Sequence, residues 1–252
     1  MRKAFSLFLF NIGFPILTLM AAPAWLVRMA RRGGLSGKLW ERLTFYDRDA
    51  EFEKTGPVYI HAVSVGEMVM ALKLVEAWRT LDPAQNFVLA ATTSTGYDLA
   101  IERAEENTRV IYSPLDVPVL VGRVLKRFDP ALVVLVDSEL WPNLLNSCHR
   151  RGVPVALANA RLSPRSERRH RRFNGLTRPF LELLDWLGAQ APEHAEVWRD
   201  LGVRTGAVTV TGSVKFDGVG QRLPQERTGF SELLAAFGER RPIVLLASSH
   251  AG

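Results

Sequence analysis

The stretch HAVSVGEMVMALKLVEAW, His61–Trp78, leaves an apolar run, turns at a single glycine and then takes on a helical period. The same order, a short apolar run followed by a longer helical stretch, repeats along the chain from residue 57. Several of these runs are continuously apolar, as expected for strands of a parallel sheet that helices cover on both faces. The sequence therefore predicts a doubly wound α/β domain over residues 57–217.

The ends of the predicted elements follow from the Gly, Pro and Ser residues that bound the apolar runs. Strands are predicted at residues 57–64, 86–93, 109–114, 131–137, 154–160, 185–190 and 207–213. Helices are predicted near residues 67–80, 97–105, 117–128, 140–151, 166–184 and 193–201. A polar, Gly-containing linker at 218–240, with a helix near 230–238, and a fresh apolar strand in 241–252 indicate that a second domain begins there.

The composition is that of a folded protein with an anionic partner. Of the 252 residues, 47% are hydrophobic and 23% are charged, the net charge is +6 and the pI is about 9.8. This charge favours a nucleic acid, an acidic membrane surface or a phosphorylated substrate without choosing among them. The single cysteine, Cys148, excludes an internal disulfide, and we expect it to be buried and inert in a reducing compartment.

The N-terminus predicts a membrane anchor. No charged side chain occurs from Ala4 to Val27, and roughly 20 apolar residues suffice to cross a bilayer as a helix. Asn11, Pro15 and Pro23 interrupt this pattern, so a tilted or half-buried anchor is one alternative. A cleaved signal peptide is another, although a proline stands inside its A-x-A-like site.

The charges beside the apolar stretch predict its orientation. A cluster of Arg and Lys between residues 28 and 38 outweighs Arg2 and Lys3, so the positive-inside rule places the bulk of the chain in the cytoplasm. We interpret residues 1–30 as an uncleaved anchor. Residues 31–56 are then a basic juxtamembrane link, whose Arg and Lys side chains are expected to lie against anionic headgroups.

Polar residues follow nearly every predicted strand. Because ligands of open α/β sheets bind beyond the carboxyl ends of the strands, these residues predict one shared cleft. Its candidate residues are Ser64, Gly66, Glu67, Thr93, Ser94, Thr95, Gly96, Asp137, Glu139, Asn159, Arg161, Arg165, Ser166 and Lys215.

Glu67 has two possible roles, between which its spacing does not decide. A carboxylate in the first turn is favoured by the helix dipole, so Glu67 can simply cap the helix. The same position favours the ionised form, which makes Glu67 a candidate general base. Gly66, just before it, would let a ligand approach the backbone closely.

The other candidate charges also have two interpretations. Asp137 and Glu139 alternate at a strand end, so their side chains should diverge unless the strand has ended. For Lys215, a solvated side chain is the commoner explanation and a contact with an anionic group is the alternative.

The basic run RSERRHRR, Arg165–Arg172, contains five arginines just after a strand. A solvated helix face is the usual meaning of such a run, but this position favours phosphate binding by fork-shaped donors. We expect His170 to belong to this basic surface and His61 to be a core residue whose polar atoms are satisfied by hydrogen bonds. The run lacks interleaved aromatic residues, which argues against a nucleic acid as the partner.

The sequence lacks the short motifs of common cofactor sites. It has no G-x-G-x-x-G after the first strand, no G-x-x-x-x-G-K-[ST], no H-E-x-x-H and no paired C-x-x-C. We therefore expect neither a dinucleotide site of that type nor a zinc site.

Seven motifs occur in one order along the chain: HAVSVGE, TTSTG, YSPLDVP, DSELWPNLL, NARLSPRS, AQAPE and VTGSVKFD. Together they resemble the Kdo (3-deoxy-D-manno-oct-2-ulosonic acid) transferases of lipopolysaccharide assembly. These are membrane-anchored bacterial glycosyltransferases of the GT-B fold, which has two Rossmann-like domains. The resemblance covers almost the whole chain, so the domain at 57–217 is expected to be the acceptor-binding one.

The resemblance implies a reaction and its site. Family members transfer Kdo from CMP-Kdo to a hydroxyl of a lipid A precursor at the inner membrane, with inversion and without a metal or other cofactor. It implies that Glu67 is the general base and that Asp137 and Lys215 stabilise the transition state. The other residues of the cleft would bind the acceptor.

The chain departs from the family pattern at three places. Asp137 is one methylene shorter than the usual glutamate, and the juxtamembrane segment reads ERLTFY where the family tends to have a glycine after an Arg-aromatic pair. The third is length, because the chain stops at Gly252, just inside the donor-binding domain expected to begin at 241. We therefore expect little or no transferase activity from this chain alone. A non-catalytic membrane-associated module that binds an anionic glycolipid is the alternative function.

Overall fold

The fold is described from a computed structural model, for residues 2–31, 37–46 and 56–216. The chain divides into two compact units, Met1–Val214 and Lys215–Gly252. A 3-10 turn, Val214–Phe216, stands where the first unit ends. The linker predicted at 218–240, with its helix, and the strand predicted within 241–252 lie outside the described residues.

The described part of the first unit contains one parallel sheet of seven strands, in the order β3-β2-β1-β4-β5-β6-β7. Each predicted strand overlaps one of them, and the predicted doubly wound, Rossmann-like sheet is confirmed. The strands are β1 Val58–Ala62, β2 Phe87–Ala91, β3 Thr108–Tyr112, β4 Leu132–Val136, β5 Val155–Ala160, β6 Trp186–Ala189 and β7 Val208–Val210.

The strand order reverses between β1 and β4, which are neighbours with Tyr59 opposite Val133. The chain therefore leaves these two strands toward opposite sides of the sheet. In sheets of this kind the gap left at the reversal is the ligand cleft. The cleft is accordingly expected between the segments that follow β1 and β4.

Eight α-helices occur in the described residues. The helix predicted at 166–184 is in fact two helices, because Phe173, with φ −106° and ψ 20°, ends the first of them before Asn174 begins the next. The helices are α1 Arg2–Arg31, α2 Val65–Leu81, α3 Ser94–Arg103, α4 Pro118–Phe128, α5 Pro142–Arg151, α6 Pro164–Arg172, α7 Asn174–Leu181 and α8 Pro192–Leu201.

Two apolar clusters cover the two faces of the sheet. Phe128, Leu145 and Trp198 belong to the cluster under α4, α5, α7 and α8, while Met68 and Tyr97 belong to the one under α2 and α3. A fully buried side chain of this size contributes about 1.5–3 kcal/mol to folding. The N-terminal apolar helix predicted from the sequence is present as α1, and it is long and apolar enough to cross a membrane by length and composition. It packs against α7 and α5.

Part of the predicted juxtamembrane link is folded onto the sheet. A 3-10 helix, Gly37–Leu43, lies beside β3, where Glu41 Oε2 accepts a hydrogen bond from the Tyr112 N–H at 2.9 Å. Arg42 is 7% exposed, donates to the carbonyl of Thr92 and stacks over the Tyr112 ring at 4.6 Å. The expectation that the arginines of this segment face headgroups is therefore wrong for Arg42, which is a buried structural residue.

Candidate active site at the reversal of the sheet

Glu67 lies in the first turn of α2, directly after β1. Ser64 caps the helix: its Oγ accepts from the Glu67 N–H at 3.3 Å, and its hydroxyl donates to Glu67 Oε1 at 3.0 Å. Glu67 Oε2 accepts from the Val63 N–H at 2.7 Å. The side chain is half-buried, and these bonds fix its orientation, so the capping interpretation is correct as geometry. It leaves the role of general base open.

Gly66 is exposed beside this carboxylate. A methyl group placed on it would meet no atom closer than the Ser64 Oγ, at 3.9 Å. Packing within the chain therefore does not require a glycine here. The space over the backbone is available to a ligand.

The segment after β4 brings two further acids to the same place. The strand ends at Val136, and Asp137 follows with φ 69°, a left-handed conformation that costs an aspartate about 1 kcal/mol or more. Its N–H donates to the Ala158 carbonyl at 2.9 Å. Strand alternation therefore does not govern Asp137 and Glu139, because the strand has already ended.

Glu139 is a partly buried carboxyl of this cleft, and its pKa is raised. Its Oε2 accepts from Trp141 Nε1 at 3.0 Å. Burial raises the pKa of Glu139 to about 7, and the negative charges of Glu67 and Asp137 raise it further, against the Trp141 hydrogen bond and the charge of Arg169. Three carboxylates therefore influence one another here. From sequence, Glu139 was assigned only to acceptor binding, and the nearby tryptophan was the one signal that it is shielded from water.

The N-terminus of α3 lies beside that of α2. Thr93 caps α3 by accepting from the Gly96 N–H at 3.2 Å. A methyl group on Gly96 would stand 3.0 Å from Thr93 Oγ1, so the glycine leaves room for the capping hydroxyl. The Ser64 carbonyl oxygen would be 3.7 Å from that methyl group, which shows that the two helix starts are adjacent. Ser94 is half-buried and Thr95 is exposed. Paired helix N-termini present backbone N–H groups that suit an anionic ligand.

Asn159 is held inside the fold. It is 2% exposed and has φ 57° where β5 shifts its register. Its Oδ1 accepts from the Val214 N–H at 3.1 Å, and Lys73 Nζ donates to the Val214 carbonyl at 3.1 Å. With Lys73, Asn159 therefore clamps Val214, the last residue of the first unit. Its predicted role in acceptor binding stays a prediction.

The remaining residues predicted for the cleft differ in exposure. Arg161 and Arg165 are exposed. Ser166 is half-buried, and its N–H donates to Ser163 Oγ, the N-cap of α6, at 3.2 Å. Lys215 is exposed and belongs to the second unit, so its catalytic role stays a prediction.

His61, His170 and Cys148 are buried. His61 is 2% exposed, its Nδ1 lies 3.4 Å from Ser113 Oγ, and burial lowers its pKa to about 3; Cys148 is buried as well. The predicted burial of both residues is confirmed. His61 is not a fully satisfied core residue, because its Nε2 has no hydrogen-bond partner among the described residues. His170 was predicted on the basic surface, which is wrong, because it is 8% exposed and its ring lies 6.1 Å from that of Trp198.

The arginines that share α6 with His170 are exposed. Among them, Arg171 forms ion pairs with Glu167 at 2.8 Å and Asp200 at 3.3 Å. Part of the basic run is thus tied to neighbouring acids, and Arg169 is the arginine whose charge reaches Glu139.

The sequence similarities of this chain to known proteins agree with one another. Residues 37–218 match the family described as 3-deoxy-D-manno-octulosonic-acid transferase (kdotransferase). A 3-deoxy-D-manno-octulosonic acid transferase of Bordetella pertussis is 34% identical over 90% of this chain and 53% of its own length. One of Haemophilus influenzae is 29% identical over 85% of this chain and 50% of its own length. The chain thus spans about half the length of these relatives.

Solved structures resemble the chain more distantly. The UDP-GlcNAc 2-epimerase of Neisseria meningitidis, bound to UDP-GlcNAc, aligns with 73% of this chain and 55% of its own, with 13% identity and a TM-score of 0.49. The fold assignment rests on the strand order and parallel pairing described above.

Proposed function

The chain belongs to the family of 3-deoxy-D-manno-octulosonic-acid (Kdo) transferases, and from this membership we propose that it carries the acceptor site and general base of a glycosyltransferase. The donor is CMP-Kdo, the acceptor is a lipid A precursor, and the product has inverted configuration. The observation that carries the proposal is the Glu67 carboxylate, held by Ser64 and Val63 where the strand order reverses.

The proposed step is a single displacement. The acceptor hydroxyl oxygen attacks the anomeric carbon of Kdo as its proton passes to Glu67 and the bond from that carbon to the CMP phosphate oxygen breaks. A sugar hydroxyl is a weak nucleophile, so an oriented base that takes its proton in the transition state accounts for about 10²–10⁴-fold of the rate. Attack from the side opposite the departing CMP inverts the anomeric carbon.

Two neighbouring carboxyls, Glu139 and Asp137, support Glu67 in this proposal. Burial and then the Glu67 charge raise the pKa of Glu139 to about 7, so its protonated form is accessible near neutral pH. Pairs of carboxyls whose environments give them different pKa values are a common arrangement for acid–base chemistry. Asp137 and Lys215 are assigned to charge that develops around the donor. No metal is assigned to the step, so chelation with EDTA is expected to leave the rate unchanged.

The acceptor is proposed to be an anionic glycolipid at the cytoplasmic face of the inner membrane. Arg161 and Arg165 are exposed next to the cleft, and the starts of α2 and α3 meet at its other side. Arginine forks and helix N-termini are the two protein features best suited to phosphate. The apolar helix α1 would keep the cleft near its lipid substrate.

The test is a transfer assay with CMP-Kdo and a lipid A precursor in detergent. Since the chain spans about half of its relatives' length, it is assayed both as it stands and fused to the C-terminal half of the Bordetella pertussis relative. We expect the fusion to form an inverted Kdo linkage, seen by NMR of the product. A fusion that binds the acceptor without transferring sugar would favour the non-catalytic lipid-binding alternative.

A further inference from the structure

The first two turns and the middle of α1 have two different faces. Apolar side chains that are at least 40% exposed among the described residues recur with helical spacing. On the opposite side, Ser6 is 4% exposed and Leu7 packs against the core cluster under α5 and α7. We call the exposed set along one side of α1 the apolar stripe; it consists of Phe5, Phe8, Leu9, Ile12, Ile16, Leu19 and Met20. Leu17 is also exposed, at 67%, but its position on the helix is outside this stripe.

A partly buried hydrogen bond ties α1 to the domain. Asn11 Oδ1 accepts from Asn143 Nδ2 at 2.8 Å, and Asn143, 1% exposed in the first turn of α5, also donates to the Asp116 carbonyl at 2.6 Å. The two backbone N–H groups at the start of α5 donate to the Asp116 carboxylate at 3.0 Å. The first half of α1 is therefore part of the folded unit.

This attachment conflicts with a helix that crosses a bilayer. If the attached half of α1 entered the hydrocarbon, α6 and α7 would have to enter with it. These two helices and the C-cap of α7 carry exposed charged side chains, among them Arg172, Arg178 and Glu182. The apolar remainder, Pro15 to Val27, is about 13 residues, or ~20 Å of helix. The hydrocarbon core is about 30 Å thick, and Arg28 and Arg31 follow directly.

Basic groups stand beside the apolar stripe. A groove of about 400 Å³ between α1 and α7 is lined by Arg2, Phe5, Ser6, Arg172, Phe173 and Leu176. Phe173 and Leu176 are 47% and 38% exposed, and the Arg172 guanidinium lies 5.6 Å from the Phe173 ring. Apolar side chains with arginines at their edge match acyl chains below a layer of lipid phosphates.

We propose that α1 is an interfacial helix that lies in the plane of one leaflet of an anionic phospholipid bilayer. The apolar stripe enters the acyl region, while Arg2, Lys3 and Arg172 contact lipid phosphates. The Asn11–Asn143 hydrogen bond holds the helix to the domain, so the cleft that follows β1 and β4 keeps a fixed height above the membrane. The proposal concerns only how α1 lies on the membrane, and it does not depend on sugar transfer.

Binding to the membrane is tested with the purified chain and phosphatidylcholine vesicles, with and without phosphatidylglycerol. Ile12→Asp is expected to weaken sedimentation with the anionic vesicles by about tenfold or more, because it places a charge on the stripe. Ile101→Asp on α3 is the matched control, since Ile12 and Ile101 are 47% and 50% exposed. Equal binding by both variants would overturn the proposal. It would also be overturned if the apolar stripe were buried in a dimer of this chain and Ile12→Asp left vesicle binding unchanged.

The orientation of α1 is tested by depth measurements. A fluorophore is attached at Phe8→Cys, Ile12→Cys, Ile16→Cys or Leu19→Cys in separate variants, which is selective because Cys148 is the only native cysteine and is buried. Quenching by lipids labelled at known depths should place all four at one shallow depth. A steady change of depth from Phe8 to Leu19, about 1.5 Å per residue, would show a crossing helix and contradict the proposal.

Discussion

The Glu67 carboxylate accepts a hydrogen bond from the Val63 backbone N–H at 2.7 Å, so the side chain folds back over the first turn of α2. Its other oxygen accepts from Ser64, whose Oγ in turn accepts from the Glu67 N–H. In a capping box, the side chain of the N3 residue accepts a hydrogen bond from the backbone N–H of the N-cap residue. Here Glu67 accepts instead from the N–H of Val63, the residue before the N-cap, and the rest of the arrangement is that of a capping box. Capping and catalysis need not compete, because the cap supplies the fixed orientation that a general base requires.

The capping bonds predict how two substitutions of Glu67 differ in stability. Glu67→Ala removes both acceptors and should lower the free energy of unfolding by about 0.5–1 kcal/mol. Glu67→Gln keeps one acceptor oxygen and should cost less. Thermal unfolding checks this, with Glu76→Ala on the exposed side of the same helix as the control, expected within about 0.5 kcal/mol of the wild type. Equal costs for Gln and Ala would mean that the carboxylate does not cap α2.

The raised pKa of Glu139 predicts a pH dependence of stability. Its folded pKa of about 7 exceeds the ordinary value of 4.5, so the folded state holds the proton more tightly. The stabilisation is therefore full below about pH 4.5 and is lost as the pH rises through 7. A pKa shift of this size corresponds to ~3 kcal/mol of unfolding free energy, and the partial exposure of the side chain reduces that figure. Glu139→Gln should therefore make the loss of stability with rising pH smaller by about 1–2 kcal/mol.

Urea unfolding at a series of pH values measures the Glu139 effect. Some slope should remain in the variant, because burial also raises the pKa of Asp116 to about 7, against two backbone hydrogen bonds from α5. A pH profile of Glu139→Gln that overlays the wild type would show that Glu139 titrates normally.

Thr44 predicts a stabilising substitution. It has φ 67°, a left-handed conformation that is unfavourable for a β-branched residue, and its Oγ1 is buried without a hydrogen bond among the described residues. Thr44→Gly should raise the free energy of unfolding by about 0.5–1 kcal/mol, since the relief of strain exceeds the backbone entropy of glycine. Thr44→Ala removes the hydroxyl but keeps the strain. If the alanine variant were as stable as the glycine variant, the backbone of Thr44 would not be strained.

The clamp on Val214 predicts a local change in dynamics. Lys73→Met removes the donor to the Val214 carbonyl, and the Val214 N–H should then exchange with solvent deuterium about 3- to 10-fold faster. Lys126→Met, on the exposed side of α4, is the matched control and should leave this amide unchanged. Identical exchange in both variants would place the restraint on Val214 elsewhere.

The sequence predicted the sheet well because its strands are apolar and bounded by Gly, Pro and Ser. The break at Phe173 was missed because helical period continues through it, and Pro179 is accommodated inside α7. The packing of Glu41 and Arg42 onto β3 was missed for a related reason: charged residues beside an apolar helix resemble a membrane flank, and only tertiary contacts show that they are buried.

The site was predicted unevenly. Glu67 followed from its place between a strand and a helix, which is local information. The hydrogen bond from Val214 to Asn159 joins residues far apart in the chain. The pKa of Glu139 is raised first by burial and then by the charge of Glu67, which is also distant in sequence. No spacing rule gives such distances.

The central claim is that Glu67 is the general base, and the most direct measurement is the rate of Kdo transfer by the fusion protein carrying Glu67→Gln. Its acceptor affinity and thermal stability are measured beside the rate, and Glu76→Gln on the same helix is the control. We predict a rate lower by about 10²–10⁴-fold with acceptor binding and folding retained, and a normal rate for Glu76→Gln. Transfer by Glu67→Gln within a few-fold of the unsubstituted fusion would contradict the account and leave Glu67 as a helix cap alone.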